Sequence, residues 1–546
     1  MGLKKETTRE QYKKLQNGSD VRGFALSAPD EPQNLFPDIA RNIGAAFVFW
    51  LVERTGKPAE KLRIGIGHDS RLTAYALTAG AAAGVLEEGS SVCFCGLATT
   101  PSMFQSTVEE ESSFDGAIMI TASHLPYNRN GLKFFTKDGG LSKNSIEEIL
   151  ELASVRAEAA GPVLISLEEM EMAVREMEAS LKNGQGFEKN QEISRRMSGD
   201  LYTYRLVDAY SSHMKQIICR EVGVEEKDQP LKGLHIVVDA GNGASGFFAT
   251  KILKPLGADI EGSVFLEPDG RFPNHVPNPE NPDAMAAISK AVLKAKADLG
   301  VIFDCDGDRA AVVFSDGREV NRNALIALIS AIVKKDHPGS IIVTDSVTSD
   351  ELTVFLEKDL GLKHFRYRRG YKNVIDRAAG LGADGEDCQL AMETSGHGAL
   401  KENYFSDDGA YLCVKIISEM ARLQKEGRRI EDLIAGLGEP AEAMELRFRI
   451  LEDDFRGYGQ RVLDDFAAFA KKEGWKLVEP NYEGVRLAFD DAEVKGWLLL
   501  RSSLHDPALP MNLESARKGG IDVLLGRIRP FFKDYERLGL PEQLTT

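Results

Sequence analysis

One pattern recurs three times along this chain: an apolar run, a short polar loop, then a helix-forming stretch. "KLRIGIGHDSR" leads into "LTAYALTAGAAAGVLEEG", "LKGLHIVVDAGNGASG" into "FFATKILKPLG", and "GSIIVTDSVTSD" into "ELTVFLEKDLG". Strands that alternate with helices need crossover connections, so the chain is α/β. A second series accompanies the first: "DGAIMITASHLPYNRNGLKFFTKDGG", "ADLGVIFDCDGDRAAVVFSDGREV" and "CQLAMETSGHGALKENYFSDDGAYL". Each passes from an apolar strand through a polar loop to a further segment reaching Asp-Gly. Repetition on this scale predicts three related α/β mixed-sheet domains, each presenting one polar loop to a central cleft.

At 546 residues the chain is too long for one hydrophobic core. The expected division is a first α/β domain with a helical extension (1–205), a second (206–320), a third (321–437), and a smaller C-terminal α+β domain (438–546). "LISLEEMEMAVREMEASLKNGQGFEKNQEISRRMSGD" predicts a helix followed by a flexible link near 184–200. Hydrophobic content of 43% and charged content of 28% are those of a globular protein. No apolar run is long enough to span a bilayer, and no signal peptide core opens the chain, so the expected location is the cytoplasm. Glu6 occupies the Ser/Thr position of the myristoylation pattern. Six scattered cysteines predict reduced thiols. The net charge of −17 argues against nucleic acid as a partner.

Chemistry concentrates in the polar loops. In "FDCDGDR", Asp304, Asp306 and Asp308 alternate directly after a strand, and Gly307 permits a tight bend. Carboxylates this close repel unless a cation neutralises them, and hard oxygen ligands suit Mg²⁺. The spacing rules out an EF-hand, because Arg309 stands where that loop needs glycine. A solvated acidic turn is the plainer alternative. Arg309 could pair with an aspartate or approach a phosphate. "ETSGHG" offers Glu393, Ser395 and His397, groups able to grip sugar hydroxyls, or else a simple polar turn. "RSSLHDP" follows an apolar run, and Arg501, Ser502 and Ser503 could cradle a phosphate. Ser123 and His124 in "TASHLP" do not form a hydrolase triad: adjacent residues of an extended chain point apart, and no G-x-S-x-G elbow surrounds them. A serine that accepts and returns a phosphoryl group needs a nearby cation and a proton-transfer group. The aspartates supply the first, and Lys133 and His124 are candidates for the second.

These loops, in this order, resemble those of the α-D-phosphohexomutases over nearly the whole chain. The family's serine loop, T-[AG]-S-H-N-P, appears as "TASHLP", and its metal loop, D-x-D-G-D-R, as "DCDGDR". Its sugar loop, G-E-x-S-G-H, appears as "METSGH", and its phosphate loop, R-x-S-x-T-x-P, as "RSSLHDP". The resemblance implies that Ser123 is the phosphoserine, with one Mg²⁺ held by its phosphate and by Asp304, Asp306 and Asp308. Lys133, His124 and Arg22 would stand beside the reacting centre. Glu393 and Ser395 would bind ring hydroxyls with His397 close by. Arg501 and Ser503 would hold the non-reacting phosphate, and Gly370 and Lys372 would belong to the third domain's specificity loop, where Arg369 is unusual.

The chain departs from the family at Leu125 (asparagine), Met392 (glycine) and His505 (threonine). His505 could still donate to phosphate. The implied activity interconverts hexose 1-phosphate and hexose 6-phosphate through a hexose 1,6-bisphosphate, which also serves as activator. The favoured reading is a phosphomannomutase with phosphoglucomutase activity, working as a monomer or homodimer, with phosphoglucosamine mutase as the alternative. "FDCDGD" also resembles the nucleophile loop of haloacid-dehalogenase phosphatases, which would make Asp304 the phosphoryl carrier. A non-catalytic sugar-phosphate sensor is the remaining alternative.

Overall fold

The structure, a computed structural model, describes residues 7–159, 163–503 and 506–545. It divides into two compact units: residues up to Val320 together with Ser406–Gly427, and Asn321–Phe405 together with Arg428 onward.

In the first unit, the strand Arg63–His68 lies between Ser91–Leu97 and Gly116–Ile120, parallel to both. Arg129–Thr136 returns antiparallel beside Gly116–Ile120, and Asp20–Phe24 extends that edge antiparallel. Leu132 and Phe134 point from the return strand into a core with Phe47, whose ring centroid lies 5.0 Å from that of Phe134. Burying each contributes about 2 kcal/mol. Strand alternation then sends Lys133 to the opposite face, and a slip of one residue would reverse that assignment. A smaller sheet follows, with Ile236–Asp239 parallel to Leu299–Phe303 and Ala310–Phe314 returning antiparallel.

The second unit repeats the plan: Ile341–Thr344 runs parallel to Cys388–Met392, and Gly398–Leu400 returns antiparallel. Its C-terminal sheet is different, with Val485–Asp490, Lys495–Leu500, Ala508–Ser515 and Glu442–Ile450 all antiparallel. Helices Phe455–Lys472 and Gly520–Phe532 contribute Phe466, Leu524 and Ile528 to one core with those strands. The protein is therefore three α/β domains with mixed sheets plus a β-rich C-terminal domain.

Three local expectations are corrected. Residues 184–200 are not a bare link: Asn190 caps a short helix, Gln191–Arg196, and Ile193 and Met197 are buried in the first core. "FFATKILKPLG" and "ELTVFLEKDLG" do not make plain α-helices. Phe248–Leu253 and Phe355–Asp359 form wide π-type turns, closed by Lys254 N–H to Ala249 O and Leu360 N–H to Phe355 O. Apart from these, the helix Gly409–Lys425, itself part of the first unit, packs there on Leu206–Val222 and Ala310–Phe314. All six cysteines are free and five are buried. Among the described residues no helix is long and apolar enough to cross a membrane.

Candidate active site

Each chemistry-bearing loop occupies the same place in the repeat, between the end of a parallel strand and its antiparallel return. In open α/β sheets this carboxyl end is where ligands bind.

The first such loop begins at Thr121. Its hydroxyl donates to Asp69 Oδ2 at 2.7 Å and accepts from the Ser123 N–H at 2.8 Å. Ser123 is 3% exposed and adopts a left-handed backbone, φ +51°, which non-glycine residues enter only at a cost. Its hydroxyl donates to Asp304 Oδ2 at 2.9 Å.

Asp304, Asp306 and Asp308 are buried, with carboxylate oxygens within 4.8 Å of one another. Gly307 has φ +72°, and a Cβ there would come within 2.6 Å of Ser245 Oγ and 2.9 Å of Thr99 Cγ2, so the turn requires glycine. Thr100, opening the helix Thr100–Val108, donates its hydroxyl to Asp306 Oδ2 at 2.6 Å and its N–H to Asp306 O at 2.8 Å. Lys133 Nζ donates to Asp306 Oδ2 at 2.9 Å and to Asp308 Oδ2 at 2.6 Å. Burial alone would lower the lysine pKa, but Asp306 and Asp308 outweigh it and hold the ammonium well above its usual value. Burial, then repulsion from Asp308 and Asp306, pushes Asp304 up, whereas Lys133 overcomes burial and holds Asp306 down. Asp306 Oδ1 has no hydrogen-bond partner. A buried set of hard oxygen donors with spare negative charge fits Mg²⁺.

Arg309 Nη2 donates to Ser123 Oγ at 3.2 Å and to His124 Nδ1, while Asn278 and Glu280 steady its Nη1 at 3.4 and 3.5 Å. His124 Nδ1 lies 3.3 Å from Ser123 Oγ. Arg22 donates to Ala122 O at 2.8 Å and pairs with Asp20. The structure thus gathers Ser123, His124, Lys133, Arg22, Arg309 and the three aspartates in the first unit.

The second unit holds the other predicted residues. Glu393 Oε1 accepts the Gly370 N–H at 2.6 Å, and Ser395 Oγ donates to Glu393 Oε2 at 3.3 Å. Gly370 has φ +112°, so its amide reaches the carboxylate from a backbone state that side chains resist. Burial, then the Asp345 charge, raises Glu393 to about 7. Tyr371 stacks on His397 with centroids 5.2 Å apart. Lys372 pairs with Asp376 at 3.0 Å on a partly exposed helix turn. Arg501 is 3% exposed, its Nε has no hydrogen-bond partner, and burial followed by repulsion from Arg369 lowers its pKa. The Ser503 hydroxyl accepts from the Asp506 N–H at 3.2 Å. His505 lies outside the described residues.

Sequence reading missed Asp69, Asp345 and Thr100. Asp345 Oδ2 accepts from Thr394 Oγ1 at 2.7 Å and from the Thr394 N–H at 3.1 Å, as Asp69 accepts from Thr121. The signal was present in the repeat, because "HDSR" and "TDSV" put an aspartate just beyond equivalent strands.

A hydroxyl that carries and releases a phosphoryl group needs carboxylates to seat a cation and fixed positive charge to meet the phosphate. That equipment surrounds Ser123 and places the protein among phosphoryl-transfer enzymes. Residues 13–159, 208–317 and 321–439 match the alpha/beta/alpha domains I, II and III of phosphoglucomutase/phosphomannomutase. The phosphoglucomutase of Neisseria gonorrhoeae is 27% identical over 525 residues, covering 96% of this chain and 97% of that protein. A phosphoglucomutase/phosphomannomutase of Thermococcus kodakarensis is 29% identical over 491 residues, with 90% and 92% covered. A crystal structure of a phosphoglucomutase/phosphomannomutase family protein from Burkholderia thailandensis superposes with a TM-score of 0.71 at 25% identity, covering 96% and 97%. The chain belongs to the phosphoglucomutase/phosphomannomutase family and is a phosphohexomutase.

Proposed function

We propose that this phosphohexomutase acts on mannose and glucose phosphates, with Ser123 as the phosphoryl carrier. The observation that carries the reading is the 2.9 Å hydrogen bond from Ser123 Oγ to Asp304, which sets a buried nucleophile against the carboxylate triplet. Phosphorylated Ser123 gives its phosphoryl group to O1 or O6 of a hexose monophosphate. The P–O bond to serine breaks, a P–O bond to the sugar forms, and the proton of the sugar hydroxyl passes to the seryl oxygen. The hexose 1,6-bisphosphate then reverses, and Ser123 takes the other phosphoryl group as its hydroxyl proton passes to the sugar oxygen from which that group departs. His124 is the group assigned to relay that proton, with the Lys133 ammonium, Arg22 and Arg309 countering phosphate charge.

Asp304, Asp306 and Asp308, with the serine phosphate, would hold one Mg²⁺, which when bound neutralises charge developing on the transferring group. Glu393, Ser395 and His397 grip ring hydroxyls in either orientation. Gly370 and Lys372 shape the specificity loop, and Arg501, Ser503 and His505 hold the phosphate that is not reacting. The phosphoserine role belongs to domain 1–205, the metal to 206–320, sugar recognition to 321–437 and the distal phosphate to 438–546. Acidic composition and small anionic substrates suit a cytoplasmic enzyme without a nucleic-acid partner.

A Ser123→Ala variant is expected to keep its fold and lose turnover in a coupled mutase assay with bisphosphate activator. Full activity in that variant would sink the scheme, and phosphate found by mass spectrometry on Asp304 would favour the aspartyl chemistry instead. Rates on mannose 1-, glucose 1- and glucosamine 1-phosphate decide the sugar. A preference for glucosamine would overturn the substrate assignment alone.

A further inference from the structure

The guanidinium of Arg71 is entirely enclosed, and what encloses it is the serine loop. It donates to the carbonyl oxygens of Ser123, of Leu125 at 2.6 Å, of Pro126 at 2.7 Å and of Arg129 at 2.9 Å. Its backbone N–H bonds Asp69 Oδ1 at 2.9 Å, and its Nε stands 3.2 Å from Asp69 Oδ2. The same Asp69 oxygen accepts the Thr121 hydroxyl and, at 3.3 Å, the thiol of Cys305, which sits between Asp304 and Asp306. Arg71 also lies 5.3 Å from the ring centroid of Phe272, and a Cβ on Gly270 would come within 2.7 Å of Arg71 Cα. A segment of the second α/β domain therefore closes over it.

We propose that Arg71, seated by Asp69, is the positioning residue that holds Ser123 in its left-handed conformation and registers the serine loop against the metal loop. Several physical facts carry this. Four carbonyl groups turned inward around one guanidinium leave the loop no other backbone geometry without losing charge-assisted hydrogen bonds. A residue at φ +51° persists only where its surroundings over-determine it. Thr121 fixes the Ser123 N–H from one side and Arg71 fixes its carbonyl from the other, so both peptide groups flanking the strained residue are held. Leu125 takes part through its carbonyl, so a leucine side chain serves where the family carries asparagine.

This inference rests on Ser123 being the phosphoryl carrier, and five variants test it. Arg71→Met is expected to lower kcat about 100-fold, the scale on which small misplacements of a nucleophile act, while KM for the hexose phosphate changes less than about threefold. Arg71→Lys should not restore the rate, because a point charge cannot serve four carbonyl groups in one plane. In Arg71→Gly, added guanidinium chloride at millimolar concentration should raise kcat several-fold where equal sodium chloride does not. Thr121→Val should reproduce the loss of kcat and Thr121→Ser should recover most of it, which keeps the inference testable if Arg71→Met does not fold. Unchanged kcat in a folded Arg71→Met protein, or recovery by lysine, would overturn the positioning role. Absence of wild-type turnover would sink the mutase reading itself, a separate outcome.

Discussion

Asp69 in the first unit and Asp345 in the second stand at equivalent strand ends, and each accepts a threonine hydroxyl at 2.7 Å from the head of the neighbouring loop. Beyond that shared anchor the two regions diverge. Around Ser123 the charges answer one another: Lys133 meets Asp306 and Asp308, and Arg309 meets Ser123, His124 and Asp304. Around Glu393 and Arg501 they do not. Arg501 Nε and Asp345 Oδ1 lack hydrogen-bond partners, and burial and the Asp345 charge raise Glu393 to about 7. The first region meets most of its charge from within and leaves Asp306 Oδ1 without a hydrogen-bond partner, an opening that suits a cation. The second leaves a guanidinium nitrogen and a carboxylate oxygen without partners, a costly state that a polar ligand relieves.

The sharpest test removes the internal cation. Lys133→Met leaves two buried carboxylates unbalanced, which is expected to cost about 3–5 kcal/mol of stability in metal-free protein. Saturating Mg²⁺ should return much of that loss, because ligand binding to the folded state adds stability. Thermal melts with and without Mg²⁺ read both, and an equal loss in the two conditions would show that the triplet does not seat the cation. In the second unit the opposite holds. Arg501→Met removes a guanidinium that lacks a partner at Nε, so the melting temperature should stay or rise. Affinity for hexose phosphate should fall by about 2 kcal/mol, roughly 30-fold. A large stability loss with unchanged KM would erase the contrast.

The same contrast sets what the sequence could reveal. Ser123, the aspartate triplet, Glu393 and Arg501 were legible because each loop keeps its chemistry within a few residues. Arg71 and Thr100 were not, because their contacts exist only once a strand lies beside its neighbour, and Asp69 and Asp345 showed only as a repeated aspartate whose partners the fold supplies. Thr100 meets Asp306 across 206 positions of chain. Lys133 was visible as a lone charge in an apolar strand, yet its tie to Asp306 and Asp308 needed the fold. The turns at Phe248–Leu253 and Phe355–Asp359 carry apolar residues at helical spacing, and periodicity does not distinguish an i→i+5 closure from an i→i+4 one.

Glu393 gives the second region a pH signature. Its carboxyl is about half protonated near pH 7. If the ionised form receives the sugar hydroxyls, apparent affinity should weaken up to tenfold for each unit of pH below that point, about 1.4 kcal/mol per unit. Glu393→Gln cannot ionise, so the ratio of wild-type to variant KM should rise toward acid and level off above pH 8. Substrate phosphate titration cancels in that ratio, and a flat ratio from pH 5.5 to 8.5 would separate Glu393 from sugar binding.

The smallest effect lies at the end of the strand Arg63–His68, where buried His68 Nε2 stands 3.5 Å from Glu178 Oε2 and joins the first sheet to the helix Leu167–Lys182. Burial would lower the histidine and raise the glutamate, but each partner's charge overcomes it, so His68 is raised and Glu178 lowered. The signs fix the window. The histidine's contribution is complete below its ordinary value of about 6.5 and is lost as pH rises through its raised one. The glutamate's is complete above about 4.5 and is lost as pH falls through its lowered one. Glu178→Gln should therefore cost most between pH 4.5 and 6.5 and less by pH 8.5. A histidine deprived of its carboxylate sheds its proton rather than staying charged, which limits the loss to about 1 kcal/mol. Melting curves at pH 6 and 8.5 measure the difference. A cost that grows toward pH 8.5 would mean that the pair is held by packing, and that internal neutralisation in the first unit stops at the reaction centre.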